Sequence, residues 1–184
     1  MTAAILLCAG GSRRFIGEGP KLLAPFRGRP LVTWALEHAL GAGVDETIVV
    51  VGPVDLSGLL SPEVLVVENP EWESGQASSL LAGIAVAEVR GHEVVVVGLG
   101  DQPLVSSDAW LAVADAESDI AVATFSGRRS PPTRLVRAVW PLLPRDGDAG
   151  ARVLMQSRPD LVGEVPCPGE ALDIDTAEDL VRWG

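Results

Sequence analysis

Apolar positions along the chain follow two periods that take turns. Ala3–Cys8 is a short, nearly continuous apolar run stopped by Gly10-Gly11, the pattern of a buried strand feeding a loop. Pro30 then opens a helix with apolar spacing at Leu31, Trp34, Ala35 and Leu40, closed by Gly41 and Gly43. The β-branched residues of Thr47–Val51 predict a second strand, and Val64–Val67 predicts a third. A helix is expected from about Gln76 to Val89, with Ser74 as its cap and Gly91 just beyond its end. Four consecutive valines within Glu93–Leu99 predict a central strand buried on both faces. A helix over Ser107–Ala116 and a strand over Ile120–Thr124 follow. Two prolines within Arg128–Thr133 rule out a central strand there. Helical signals return at Leu135–Leu142 and Ala149–Ser157, then a strand near Leu161–Val165 and a last helix from Ala177. With no repeat, low-complexity tract or linker, the alternation predicts one domain over residues 1–184. Its expected form is a three-layer α/β/α sandwich on a mostly parallel sheet.

Composition narrows the class. The chain has 184 residues, is 47% hydrophobic and has no tyrosine, which suits a valine-, leucine- and alanine-rich α/β protein with a sizeable core. No apolar run is long enough to span a membrane, and no charged-then-apolar leader opens the chain, so a cytoplasmic protein without membrane partners is expected. Cys8 and Cys167 make no disulfide framework and read as reduced residues. A catalytic role for Cys8 would need an activating histidine, and neither His38 nor His92 is placed by sequence to provide one. The net charge of −11 argues against nucleic acid as a partner. That charge is uneven. Residues 1–40 hold Arg13, Arg14, Lys21, Arg27 and Arg29 against Glu18 and Glu37, a local balance of +3 that leaves −14 for the remainder. An acidic protein with one basic pocket suits a small polyanion brought in with a divalent cation.

The basic pocket has a recognisable source. Lys21 is the only lysine, against thirteen arginines, and it ends the loop Leu7-Cys8-Ala9-Gly10-Gly11-Ser12-Arg13-Arg14-Phe15-Ile16-Gly17-Glu18-Gly19-Pro20-Lys21. A lysine kept against that bias points to a need for a compact ammonium on a flexible stem. Glycine-exposed N–H groups, two guanidiniums and one ammonium make an anion cradle suited to a nucleotide triphosphate; the competing reading is a solvated glycine-rich turn. The loop is not a Walker A motif, because Pro20 precedes Lys21 and Leu22 follows it. It is not a dinucleotide fingerprint either, because Gly17 and Gly19 have no third glycine in register.

What the loop resembles is the signature L-A-A-G-x-S-x-R-x-G-x-x-K of MobA-like nucleotidyltransferases. Leu7, Ala9, Gly10, Ser12, Arg14, Gly17 and Lys21 meet it, with roughly two extra residues between Phe15 and Lys21. Four further segments carry the likeness. Asn69-Pro70-Glu71-Trp72-Glu73-Ser74-Gly75-Gln76-Ala77-Ser78-Ser79-Leu80 resembles the N-P-x-W-x-x-G-x-x-x-S-L segment of the molybdenum cofactor cytidylyltransferase branch. Gly100-Asp101-Gln102-Pro103 resembles the D-Q-P element, and Gly147-Asp148-Ala149-Gly150-Ala151-Arg152 the G-D-x-G-A-R element. Asp173-Ile174-Asp175-Thr176-Ala177-Glu178-Asp179-Leu180 matches D-I-D-T-P-E-D-L except at Ala177. Each also has a plain structural reading: Trp72 as core filler, Asp101 capping a turn, Thr176 and Asp179 as a capping box, Asp148 capping a helix.

The resemblance implies a Rossmann-like nucleotidyltransferase fold and transfer of a nucleoside monophosphate onto a phosphorylated acceptor with release of pyrophosphate. It implies Lys21, Arg14 and Asp101 as catalytic groups, and Leu7, Ala9, Gly10, Gly11, Ser12, Gly75 and Ser79 around the nucleotide. Arg152 falls to the acceptor, and Mg²⁺ to Asp101 and Asp175, with Asp173 in support. Ala9 suggests CTP, and the branch suggests molybdopterin as acceptor. Ser130-Pro131-Pro132 stands where the branch has G-H-P beside the acceptor site, which keeps two rivals open. One is transfer from GTP or to another phosphorylated small molecule. The other is the NAD(P)H-dependent oxidoreductase activity described for a few similar proteins.

Overall fold

The computed structural model describes residues 1–11, 15 and 19–184. Ser12 and Arg14, expected at the nucleotide, lie outside the described residues. The main sheet has seven strands in the order β5-β4-β1-β6-β8-β7-β9. Here β1 is Thr2–Cys8, β4 Glu46–Val51, β5 Val64–Glu68, β6 Val94–Leu99, β7 Ile120–Phe125, β8 Arg128–Val136 and β9 Val162–Pro166. A two-stranded hairpin of β2 (Pro25–Phe26) and β3 (Arg29–Pro30), absent from the sequence expectations, precedes helix α1 (Leu31–Leu40). The other helices are α2 (Gln76–Val89), α3 (Ser107–Ala114), α4 (Ala151–Ser157) and α5 (Ala177–Trp183).

Two apolar layers explain the sandwich. On one face, Val32, Ala35, Leu36 and Ala39 of α1 and Ala109, Trp110 and Val113 of α3 pack on Leu6, Val49, Val96 and Ala121. On the other, Leu80, Ile84 and Ala87 of α2 and Leu154 of α4 pack on Ile5, Ile48, Val95 and Ile120. Alternate residues of each strand serve opposite faces, so strands such as Val94–Leu99 read as apolar without a break. A third, smaller cluster of Phe26, Leu31 and Ile174 ties the hairpin to the segment before α5.

The largest correction concerns β8. Its nine residues run antiparallel between β6 and β7, so the segment containing Pro131-Pro132 is an interior strand after all. The prolines are tolerated because they are never asked to donate. Val122 faces Thr133 and Ala123 faces Ser130, which leaves Pro131 and Pro132 in a bulge, and β6 pairs with β8 only over Thr133–Val136. The expected helix over Leu135–Leu142 starts instead as the end of this strand and continues as a 3-10 turn over Arg137–Leu142.

Two caps also differ from expectation. Ser74 lies in a 3-10 turn and donates to the Glu71 carbonyl (2.8 Å), while Gly75 occupies the N-cap of α2 without a side-chain bond. Gly150, not Asp148, is the N-cap of α4. The Thr176–Asp179 capping box of α5 is present with both reciprocal bonds. Among the described residues no helix is long and apolar enough to cross a membrane.

Candidate active site at the carboxyl edge of the sheet

Parallel strands end on the same edge, so the loops after β1 and β6 meet. Leu7 faces Leu99 in the register of that pair, and the Gly100 N–H donates to the Leu7 carbonyl (3.0 Å). Gly100 allows the close approach: a Cβ there would lie 2.6 Å from the Cys8 sulfur. Asp101 therefore enters at the end of a central strand, where open α/β sheets bind ligands.

Lys21 sits on a 3-10 turn beyond the β1 loop and is only 8% exposed. Its Nζ donates to Asp101 Oδ2 (2.6 Å) and Asp175 Oδ1 (3.0 Å), joining segments 80 and 154 residues away. Asp175 is delivered by its neighbours. Ile174 is fully buried and its N–H donates to the Asp101 carbonyl (3.1 Å), while the Asp175 N–H donates to Asp179 Oδ2 (3.1 Å) at the start of α5. Asp173 turns to the Gln102 amide, which donates to its Oδ1 (2.8 Å) and to the Ser130 hydroxyl (3.0 Å).

The electrostatics follow. Burial pulls the Lys21 pKa down, but the charges and hydrogen bonds of Asp101 and Asp175 outweigh it and the net displacement is upward, so the ammonium stays charged. Asp173 is displaced upward by burial and then by the Asp101 charge, partly offset by the Gln102 hydrogen bond. Cys8 is pushed far above the ordinary thiol range by complete burial and by Asp101, which removes it as a nucleophile. Among the described residues no group of three or more histidine, cysteine or acidic side chains makes a complete metal cage. A cation here would share its coordination between Asp101, Asp175 and a ligand's own oxygens.

Two cavities meet at this cluster. The first, about 410 Å³, is lined by Leu7, Ala9, Gly10, Gly11, Gly75 and Ser79, together with Lys21, Asp101 and Asp175. All the described residues expected at the nucleotide thus share one cavity. The second, about 590 Å³, shares Leu7, Asp101 and Asp175 and extends to Arg152, Gln102, Ser130 and Asp173. Arg152 is accordingly separated from the first cavity and lines the second.

The segment 147–150 forms the partition between them. Gly147 accepts from the Ala77 N–H (3.0 Å) and donates to the Ser74 carbonyl (3.2 Å), and Asp148 lines both cavities. Gly75 has φ +111°, and a Cβ there would come within 2.5 Å of the Gly147 carbonyl oxygen. Glycine is therefore required at this junction on both counts. Sequence reasoning gave no role to Gln102, and it placed Ser130 only within the segment that stands where the branch has G-H-P. The D-Q-P element contained Gln102, but its partners are visible only once β8 is in place.

A mostly parallel sheet flanked by helices, with a lysine–carboxylate cluster at its carboxyl edge where two cavities meet, is a nucleotidyltransferase-type Rossmann-like α/β fold. The chain belongs to the MobA-like NTP transferase domain family, whose match covers residues 4–162. It is similar to nicotine blue oxidoreductase of Paenarthrobacter nicotinovorans, at 37% identity over 97% of this chain and 94% of that protein. It is also similar to molybdenum cofactor guanylyltransferase of Cereibacter sphaeroides, at 33% identity over 96% and 93%. Among solved structures, Rv0371c of Mycobacterium tuberculosis H37Rv superposes with a TM-score of 0.83 at 27% identity, covering 98% of this chain and 96% of that one. The same protein has also been solved as a manganese complex, which superposes with a TM-score of 0.78.

Proposed function

We propose that the chain, as a single domain over residues 1–184, transfers a nucleoside monophosphate from an NTP to a phosphorylated small molecule. CTP and a molybdopterin cofactor are the leading substrates. The observation that carries this reading is the Lys21 ammonium shared by Asp101 and Asp175 where the two cavities meet. In the reaction an acceptor phosphate oxygen bonds to the α-phosphorus of the NTP, the bond from that phosphorus to the bridging oxygen breaks, and pyrophosphate leaves. An ionised phosphate already attacks, so no side-chain nucleophile is needed. Catalysis then rests on positioning and charge neutralisation.

Lys21, Arg14 and the N–H groups of Gly10, Gly11 and Ser12 hold the triphosphate, with Leu7, Ala9, Gly75 and Ser79 around the nucleoside. Arg152 meets the acceptor phosphate in the second cavity. Two hard oxygens within 3.0 Å of one cationic atom suit a small divalent ion, so Asp101 and Asp175 would hold Mg²⁺, with Asp173 behind them. Such an ion supplies charge neutralisation on the phosphate oxygens. The net charge of −11 favours small-molecule partners over nucleic acid, in a cytoplasmic setting.

Two relatives support rivals. The 33% identical guanylyltransferase favours GTP, and the 37% identical oxidoreductase favours a hydride carrier. A thermal-shift panel of CTP, GTP, ATP, UTP and NADPH, each with and without Mg²⁺, separates them, because a ligand that binds only the folded form raises the midpoint. Stabilisation by CTP that requires Mg²⁺ is the expected result. A GTP-selective shift moves the assignment to guanylyl transfer, and a response to NADPH without metal overturns nucleotidyl transfer.

A further inference from the structure

Asn69 follows β5, is 5% exposed, and has one amide orientation that satisfies its surroundings. The Glu71 backbone N–H, which can only donate, donates to Asn69 Oδ1 (2.9 Å), so Nδ2 must face the other way. There it donates to the hydroxyl oxygens of Ser78 (2.9 Å) and Ser79 (3.0 Å). Ser78 passes its own proton to the carbonyls of Glu71 (3.0 Å) and Gly75 (2.8 Å). Ser79 is 5% exposed, lines the first cavity and, among the described residues, has no protein acceptor for its proton. A fixed backbone donor thus sets the amide, the amide sets the serine, and the serine presents a donor to the cavity.

We propose that Ser79 donates a hydrogen bond to an acceptor atom of the bound nucleoside, an oxygen or ring nitrogen of base or ribose, and that Asn69 is the positioning residue that enforces this polarity. The inference rests on the first cavity holding a nucleotide. Asn69→Asp inverts the relay with little change of shape. A carboxylate oxygen still accepts from the Glu71 N–H, but the other now accepts the Ser79 proton, so the hydroxyl turns a lone pair toward the ligand.

The test is calorimetric titration of the full chain with the Mg²⁺ complex of whichever NTP the wild type prefers. Ser79→Ala should weaken binding about tenfold, the loss of one hydrogen bond, and Ser79→Thr should restore it. Asn69→Asp should weaken it more than Ser79→Ala, because a reversed partner repels where a missing one is merely absent. In a Ser79→Ala background the same Asn69→Asp change should add nothing, whereas a charge or folding effect of the introduced carboxylate would persist there. Repeating the series with the 2′-deoxynucleotide locates the contact: a Ser79→Ala effect that vanishes places it on the ribose, and one that persists places it elsewhere on the nucleoside. Should Asn69→Asp not fold, Ser79→Cys, a weak donor of similar size, should bind like Ser79→Ala. Wild-type affinity in Asn69→Asp, equal losses in both backgrounds, or tight binding by Ser79→Cys overturns the relay. A wild type that binds no NTP overturns the nucleotide reading, and the relay with it.

Discussion

The two cavities share Leu7, Gln76, Leu99, Asp101, Asp148 and Asp175 but differ in the rest of their walls. The first combines the glycine backbone of Gly10, Gly11 and Gly75 with side chains such as Lys21, Trp72 and Ser79 from the loop after β1 and the start of α2. Gly10 and Gly11 follow β1 directly, so their position is set locally, whereas Gly75 is also held against Gly147. The second takes its walls from side chains far apart in the chain: Gln102 after β6, Ser130 on β8, Arg152 on α4 and Asp173 before α5. A backbone wall treats any phosphate chain alike, whereas a side-chain wall can be altered residue by residue. Under the proposed function, varying the acceptor while keeping the nucleotide would require changes only to the second.

The largest expected effect lies where the cavities meet. Lys21→Ala and Asp101→Asn should each lower turnover by about 10³-fold or more while leaving the far-UV circular dichroism unchanged, since each removes charge stabilisation at the phosphates. An active Asp101→Asn protein would sink the metal assignment.

Next comes the partition. Gly75→Ala puts a Cβ against the Gly147 carbonyl at a φ of +111°. It should cost about 1–3 kcal/mol of stability and weaken both substrates together. Loss of only one substrate would mean that the cavities are less coupled than segment 147–150 implies.

Smaller and one-sided effects are expected from the second cavity. Ser130→Ala and Gln102→Leu should raise the acceptor KM about tenfold and leave the NTP affinity unchanged, because both residues line only that cavity. Equal loss of NTP affinity would erase the distinction between the two sides.

The smallest effect concerns stability alone. The Asp173 carboxyl is displaced upward by burial and by Asp101. A group of this kind favours the folded state below its unfolded pKa, and that benefit is lost as pH rises through the folded value. At neutral pH the ionised form is therefore a liability. In metal-free protein Asp173→Asn should raise the melting midpoint by about a degree at most at pH 7, because the residue stays largely open to solvent and its charge is screened, with the gain shrinking below about pH 4. A lower midpoint at pH 7 would show that the Gln102 bond to the carboxylate outweighs its burial.

How much was legible follows the same division. The strand β1 that ends at Cys8, the strand–loop junction at Asp101 and the capping box at Thr176 were readable because each depends on neighbours a few residues away. Ser74 and Asp148 were misread as caps. Both are side chains that can cap locally, and the docking of segment 147–150 on the start of α2 reassigned them. The strand β8 was missed because prolines lower the local propensity for an interior strand, while the bulge that accommodates them exists only between paired strands.

By itself, then, the sequence determined the alternation of strand and helix and the apolar faces, since periodicity and turn chemistry act over a few residues. Tertiary structure alone decided that an antiparallel strand enters the sheet between β6 and β7, and that one ammonium serves two carboxylates 80 and 154 residues away. It also decided that a buried amide sets which way the Ser79 hydroxyl faces. The reason is common to all three: the partner of a ladder edge or a buried polar group is chosen by folding, among groups that the chain order keeps apart.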